Sequence, residues 1–130
     1  MGFLTSIFTW WNGATIGTRL FSARKGSKIG TDELGNVYFE GGIDVHGKPR
    51  RWVIYSGAND ASRVTPEWHG WLHGTHAETP DKALPPSRAW QLPPQPNMTG
   101  TRDAYRPAGA LEAGGKRAAA TGDYEAWSPN

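Results

Sequence analysis

The sequence predicts a small α+β fold: a short antiparallel β-meander with a Trp-rich short helix packed on it. An N-terminal amphipathic helix precedes this core, and a long extended Pro-rich C-terminal tail follows it. Three observations carry the prediction. Pro66-Glu67-Trp68-His69-Gly70-Trp71-Leu72-His73 reads as a two-turn helix, Val37–Glu40 and Arg51–Tyr55 read as strands, and seven of the ten prolines fall between Pro80 and Pro107. That crowding of proline breaks any strand or helix periodicity from residue 77 onward.

Taken from the N-terminus, Phe3, Leu4, Ile7, Phe8 and Trp11 follow helical spacing, and Asn12-Gly13 is a natural stop. Such a stripe can lie on a membrane surface, dock in a protein groove or pack on the protein's own core. Residues 14 to 27 read as a basic linker. The first 31 residues hold Arg19, Arg24, Lys25 and Lys28 and no acid, whereas Asp32, Glu33, Glu40 and Asp44 follow at once.

The sheet is expected within residues 28 to 56. Gly35-Asn36 supplies turn chemistry before the first strand, and Gly41-Gly42 and His46-Gly47-Lys48-Pro49 break the chain before the second. Short strands joined by Gly-rich turns favour an antiparallel meander of two or three strands. Acids on one arm and Arg50-Arg51 on the next are placed to pair across it. In the helix that follows, Thr65 suits the N-cap, Pro66 the first helical position and Glu67 the positive end of the dipole. Trp68, Trp71 and Leu72, at i, i+3 and i+4, form one apolar stripe. Two turns of helix are not stable alone, so those indoles must bury. The strand carrying Trp52 and Tyr55 is the expected platform. Trp52, Tyr55, Trp68, His69, Trp71, Leu72 and His73 are thus the predicted structural core. Three segments result: residues 1–27, 28–76 and 77–130, the last wrapping a partner.

Composition narrows the function. There is no Cys, which excludes disulfides, thiolate metal sites and thiol catalysis. A net charge of +2 is too small to imply nucleic acid by itself. Arg50-Arg51-Trp52 and Arg88-Ala89-Trp90 interleave cations with aromatics as base-stacking surfaces do, but the acidic cluster opposes that reading, and no nucleic-acid partner is expected. No apolar run reaches the roughly 20 residues of a membrane span. Seven Trp in a chain poor in aliphatics fit binding anchors. Trp90, Tyr105, Tyr124 and Trp127 are spaced along a tail that a plain linker would not decorate so. With Trp11, the anchors Trp90, Tyr105 and Trp127 are predicted to contact partners, alongside Arg88, Arg102 and Arg106.

Catalytic chemistry has little support. His69 and His73 are one turn apart, and His76 follows, so a small metal-dependent hydrolase is conceivable from these three. The zincin pattern needs Glu directly after the first His, and Gly70 stands there. Gly26-Ser27-Lys28 lacks the upstream glycine of a phosphate loop. No catalytic, cofactor or metal residue is therefore expected.

The blocks Lys28-Ile29-Gly30-Thr31-Asp32, Gly35-Asn36-Val37-Tyr38-Phe39-Glu40, Arg50-Arg51-Trp52-Val53-Ile54-Tyr55 and Pro66–His73 resemble, in order, one family. So do Asn97-Met98-Thr99-Gly100-Thr101, Tyr105-Arg106-Pro107 and the closing Tyr124-Glu125-Ala126-Trp127-Ser128-Pro129. The family is the accessory subunit of respiratory complex I (NADH:ubiquinone oxidoreductase) called alpha-subcomplex subunit twelve, and the likeness is to its alphaproteobacterial type. The likeness covers residues 28 to 107 well and the ends loosely. It implies a non-catalytic subunit of the peripheral arm, without cofactor, beside core subunits of the quinone module, neighbouring accessory subunits and the membrane surface. A paralogous assembly factor shares the fold, but paired His69 and His73 and the long tail favour the subunit. The implied place is peripheral, on the cytoplasmic side of a bacterial inner membrane, or the matrix side in a mitochondrion.

Overall fold

A computed structural model describes residues 3–8 and 13–130. The chain divides into two compact units, one ending at Pro96 and one beginning at Asn97. The first carries helices α1 (Phe3–Phe8) and α2 (Ile16–Lys25), strands β1 (Ser27–Thr31), β2 (Val37–Ile43) and β3 (Pro49–Ile54), and helices α3 (Pro66–Leu72) and α4 (Pro80–Ala83). The strands form one antiparallel sheet in the order β1-β2-β3, the meander that short strands and Gly-rich turns call for. The second unit is made of turns, extended backbone and one 3-10 turn at Leu111–Ala113.

Because side chains alternate across a strand, β2 supplies two different faces. Tyr38 points to the face covered by α3. Its ring stacks on Trp68 at 4.1 Å between centroids and meets Trp71 edge-on at 6.2 Å. Tyr38 and Trp71 are the fully buried hydrophobic residues among those described. Gly30 is obligatory beneath this stack, since a Cβ there would run into the Trp68 ring.

Phe39 and its cross-strand partner Trp52 point to the other face, with near-parallel rings 6.0 Å apart. That face is covered by α2, a helix where sequence reasoning expects a basic linker. Thr15 caps it by accepting a hydrogen bond from the Thr18 amide, and Phe21 packs at 5.5 Å from Trp52. Ser22 is buried and accepts a 2.9 Å hydrogen bond from the Trp52 indole N–H. The expected platform for α3 is corrected in part: the strand bearing Trp52 does meet α3, but through Arg51 rather than through Trp52. Trp68 and Trp71 pack on Tyr38 of β2, while Trp52 lies on the opposite face and anchors α2 instead.

The β1–β2 turn is tied by a polar knot around Asp32. One carboxylate oxygen accepts from the amides of Leu34 and Asn36, and the other from the Asn36 side-chain amide and the Tyr38 hydroxyl at 2.7 Å. Fully buried Asn36 also donates to the Arg63 carbonyl and accepts from the Ser56 amide. A residue read as turn chemistry thus fastens the hairpin to the segment after β3. Such burial is tolerable because every strong valence of the amide finds a partner.

Candidate interaction surfaces

Arg51 shows how the sheet holds α3 in place. It sits opposite Glu40 in the β2–β3 register and its Nε donates to that carboxylate at 2.8 Å, the cross-strand pair read from sequence. The guanidinium then donates to the carbonyls of Trp71, His76 and Ala77 at 2.7, 3.0 and 3.0 Å. It also stacks 4.5 Å over the Trp71 ring. A cation at the carbonyl end of a helix is favoured by both the free acceptors and the dipole. The helix itself ends in a Schellman motif: Gly74 is left-handed at φ 73°, with Thr75 N–H bonded to Gly70 O and Gly74 N–H to Trp71 O.

The predicted core residues therefore occupy different places. Trp71 is buried, and Trp52, Tyr55, Trp68 and Leu72 are half-buried, while His69 and His73 are exposed. The two imidazoles lie side by side on the outer flank of α3, 4.2 Å between ring centroids. They are helix surface rather than core, because the indoles at 68 and 71 occupy the inward stripe. His76 is turned away to the Glu78 carbonyl, 2.8 Å from its Nδ1. Among the described residues no three His, Cys, Asp or Glu side chains converge as a metal site. A shallow cleft runs beside β1, lined by Gly30, Thr31, Trp68, Thr79, Asp81 and Lys82 among others. Its titratable groups are Asp81 and Lys82.

Exposed apolar side chains tell more. In α1, Leu4, Ile7 and Phe8 are exposed at helical spacing; Trp11 lies outside the described residues. Ile43 and Val45 stand out on the β2–β3 hairpin. Along the tail, Trp90 is 74% exposed, Tyr105 88%, Tyr124 87% and Trp127 82%, and Leu92 and Leu111 are as bare. Each such ring offers far more apolar area to water than a solvated linker uses, and rings of this kind are enriched at interface hot spots. Of the three tail arginines singled out, Arg88 and Arg102 are exposed, and Arg106 reaches Glu112 at 3.1 Å within its own segment. Arg117 is held by the Asp123 carboxylate. Sequence reasoning did not single out Ile43 and Val45; a pair of aliphatics flanking Asp44 in a turn was the available signal.

No helix among the described residues is long and apolar enough to cross a membrane. A family model described as NADH ubiquinone oxidoreductase subunit NDUFA12 matches residues 26–129. The chain belongs to the NDUFA12 family. The match takes in the sheet, α3 and α4, and nearly all of the exposed tail. Among relatives, a Dictyostelium discoideum NADH dehydrogenase [ubiquinone] 1 alpha subcomplex subunit 12 is 37% identical over 84 residues, covering 63% of this chain and 60% of that protein. The Bos taurus protein of the same name is 35% identical over 99 residues, 68% of each chain. An uncharacterised Rickettsia prowazekii protein, from an alphaproteobacterium, is 41% identical over 56 residues, 42% of this chain and 56% of that one. The chain thus spans between 56% and 68% of the length of these three relatives.

Proposed function

We propose that the chain is a non-catalytic accessory subunit of the peripheral arm of respiratory complex I, supporting assembly and stability of the NADH-to-quinone electron-transfer complex. The observation that carries this reading is the NDUFA12 match, which runs through residues 26–129 and so includes the tail as well as the folded unit. A tail with its aromatic rings in water has no folding role within its own chain, and a multi-subunit complex gives those rings pockets to fill. On this reading Trp90, Tyr105 and Trp127 insert into neighbouring core subunits of the quinone module or adjoining accessory subunits. Arg88 and Arg102 then meet partner carboxylates, and Arg106 exchanges Glu112 for one. The protein sits peripherally on the respiratory membrane, on the cytoplasmic side of a bacterial inner membrane or the matrix side of a mitochondrial one.

The test is a tagged chain expressed in its own host, membranes solubilised gently, and NADH dehydrogenase activity assayed in the captured material. Co-purified activity that disappears in a Trp90→Ala/Tyr105→Ala/Trp127→Ala variant is the expected result. Capture of the chain without that activity overturns the reading. Turnover by the purified chain alone, lost in His69→Ala, would instead favour a hydrolase.

A further inference from the structure

The two ends of the sheet differ in charge and finish. At one end the Asp32 knot closes the β1–β2 turn, with exposed Glu33 beside it. The other end gathers the C-terminus of α2 and the β2–β3 hairpin. Gly41 brings them together: a Cβ there would overlap the Lys25 carbonyl oxygen, so the backbone of the last α2 residue lies directly on β2. Gly42, left-handed at φ 67°, marks the break in register between Glu40 and Ile43, and the strand resumes with Ile43 opposite Pro49. Exposed Arg24 and Lys25 therefore share an end of the sheet with exposed Lys48 and Arg50. None of these four is within ion-pair distance of a carboxylate among the described residues.

Two aliphatics protrude at this basic end. Val45 is 95% exposed and Ile43 71%. The turn that presents them is rigid. Asp44 accepts from the amides of His46 and Lys48 at 2.8 and 2.9 Å, its own amide bonds the Lys48 carbonyl, and Gly47 adopts φ 75°. The one acid at the tip is thus directed inward to backbone donors. Glu40, the other nearby acid, is held by Arg51.

We propose that this end of the unit docks on an anionic phospholipid surface, with Ile43 and Val45 entering the headgroup layer and Arg24, Lys25, Lys48 and Arg50 against lipid phosphates. Exposed aliphatics on a turn that shares its end of the sheet with long flexible cations match an interface whose apolar layer lies just beneath negative charge. A protein pocket is the poorer fit, because protein anchors are usually Trp or Tyr rings or a fixed arginine, and this tip carries no Trp, Tyr or Phe, only the exposed imidazole of His46. The inference goes beyond the subunit assignment and is tested without any other subunit.

The experiment is flotation of the purified full chain with vesicles of phosphatidylcholine alone and of phosphatidylcholine mixed with phosphatidylglycerol. Binding is expected to the mixed vesicles only, and to vanish in about 1 M salt, where the screening length falls to about 3 Å. Lys48→Gln with Arg50→Gln should lower partitioning about 30-fold, the effect of two charges near such a surface. Ile43→Ser with Val45→Ser should lower it at least about tenfold. All four positions are exposed, and an unchanged melting temperature confirms that the variants fold. Equal binding to both vesicle types, or parental binding by both double variants, overturns the proposal. A chain that ignores vesicles, but whose double variants no longer enter the respiratory complex, also overturns it and assigns this end to a protein neighbour.

Discussion

Trp71 is the residue on which the first unit turns. Its ring is closed in by Tyr38, Trp68 and the Arg51 guanidinium, and it is 1% exposed. Trp71→Ala should cost about 3–5 kcal/mol, the range for deleting a buried aromatic, whereas half-buried Trp68→Ala should cost less. Urea denaturation followed by circular dichroism checks the order; equal midpoints for the two variants would contradict it. Tyr38 adds a pH dependence. Burial pushes its phenol well above the ordinary tyrosine value near 10, and the hydrogen bond to Asp32 and that carboxylate's charge push it the same way. Burial raises Tyr55 too, with Asp60 adding to it. Below about pH 10 both folded and unfolded phenols keep their protons, so nothing changes. Above it the unfolded chain releases protons that the folded chain retains, and stability falls as pH rises. The melting temperature should therefore drop between pH 9 and 11 by more than it does in Tyr38→Phe, where part of the linkage is gone.

At the scale of elements, two contacts decide whether the helices stay on the sheet. Arg51 joins β3 to the end of α3 and the loop behind it through three carbonyls. Arg51→Met keeps length but leaves the part-buried carbonyls of Trp71 and His76 without their donor, at about 1–3 kcal/mol for each that stays unpaired, while water can reach the exposed Ala77 carbonyl. Amide exchange in residues 72 to 79 should accelerate in that variant while β1–β2 amides hold their protection; uniform acceleration would mean that the whole unit had opened. On the other face, Ser22→Ala strands the Trp52 indole N–H, and α2 should loosen in the same assay. These elements were not equally legible. The α3 boundaries follow from Pro66 and Gly74, and the Glu40–Arg51 pair from charge order, because each signal is local. α2 escaped because its buried contact is a serine, and its apolar Leu20 and Phe21 are about half exposed. A stripe search for apolar residues cannot find a helix whose packing surface is small and polar. Asn36 likewise gives no hint in sequence that it reaches Arg63 and Ser56, since those contacts are long-range. The exposed tail aromatics were readable as more than a plain linker needs, and Trp52 was readable as packed but not as facing away from α3.

For the whole molecule, the contrast lies between a unit with a small aromatic core and a tail with almost none. The first unit buries two hydrophobic residues completely among those described, and both lie in one stack. Such a core supports only a few kcal/mol of net stability. From Ser87 onward nearly every residue is exposed, and the hydrogen bonds are short-range turns such as Thr101 N–H to Met98 O. Ordering those residues costs conformational entropy that so little burial does not offset. Proline reduces that cost on docking, because Pro85-Pro86 and Pro93-Pro94 hold the free chain extended at about 3.1 Å per residue. A short segment can then cross a long stretch of a neighbour's surface. Limited trypsin digestion of the free chain should remove the tail and leave a fragment ending near Arg88, because α4 belongs to the first unit. Cuts are expected after Arg88, Arg102 and Arg117, but not after Arg106, which Pro107 follows, and the trypsin sites inside β3 should resist. In the assembled complex the same tail sites should be protected, with Trp90, Tyr105 and Trp127 seated in partner pockets. A tail that resists trypsin in the free chain would mean that it folds on its own unit, and the proposed wrapping of neighbours would fall with it.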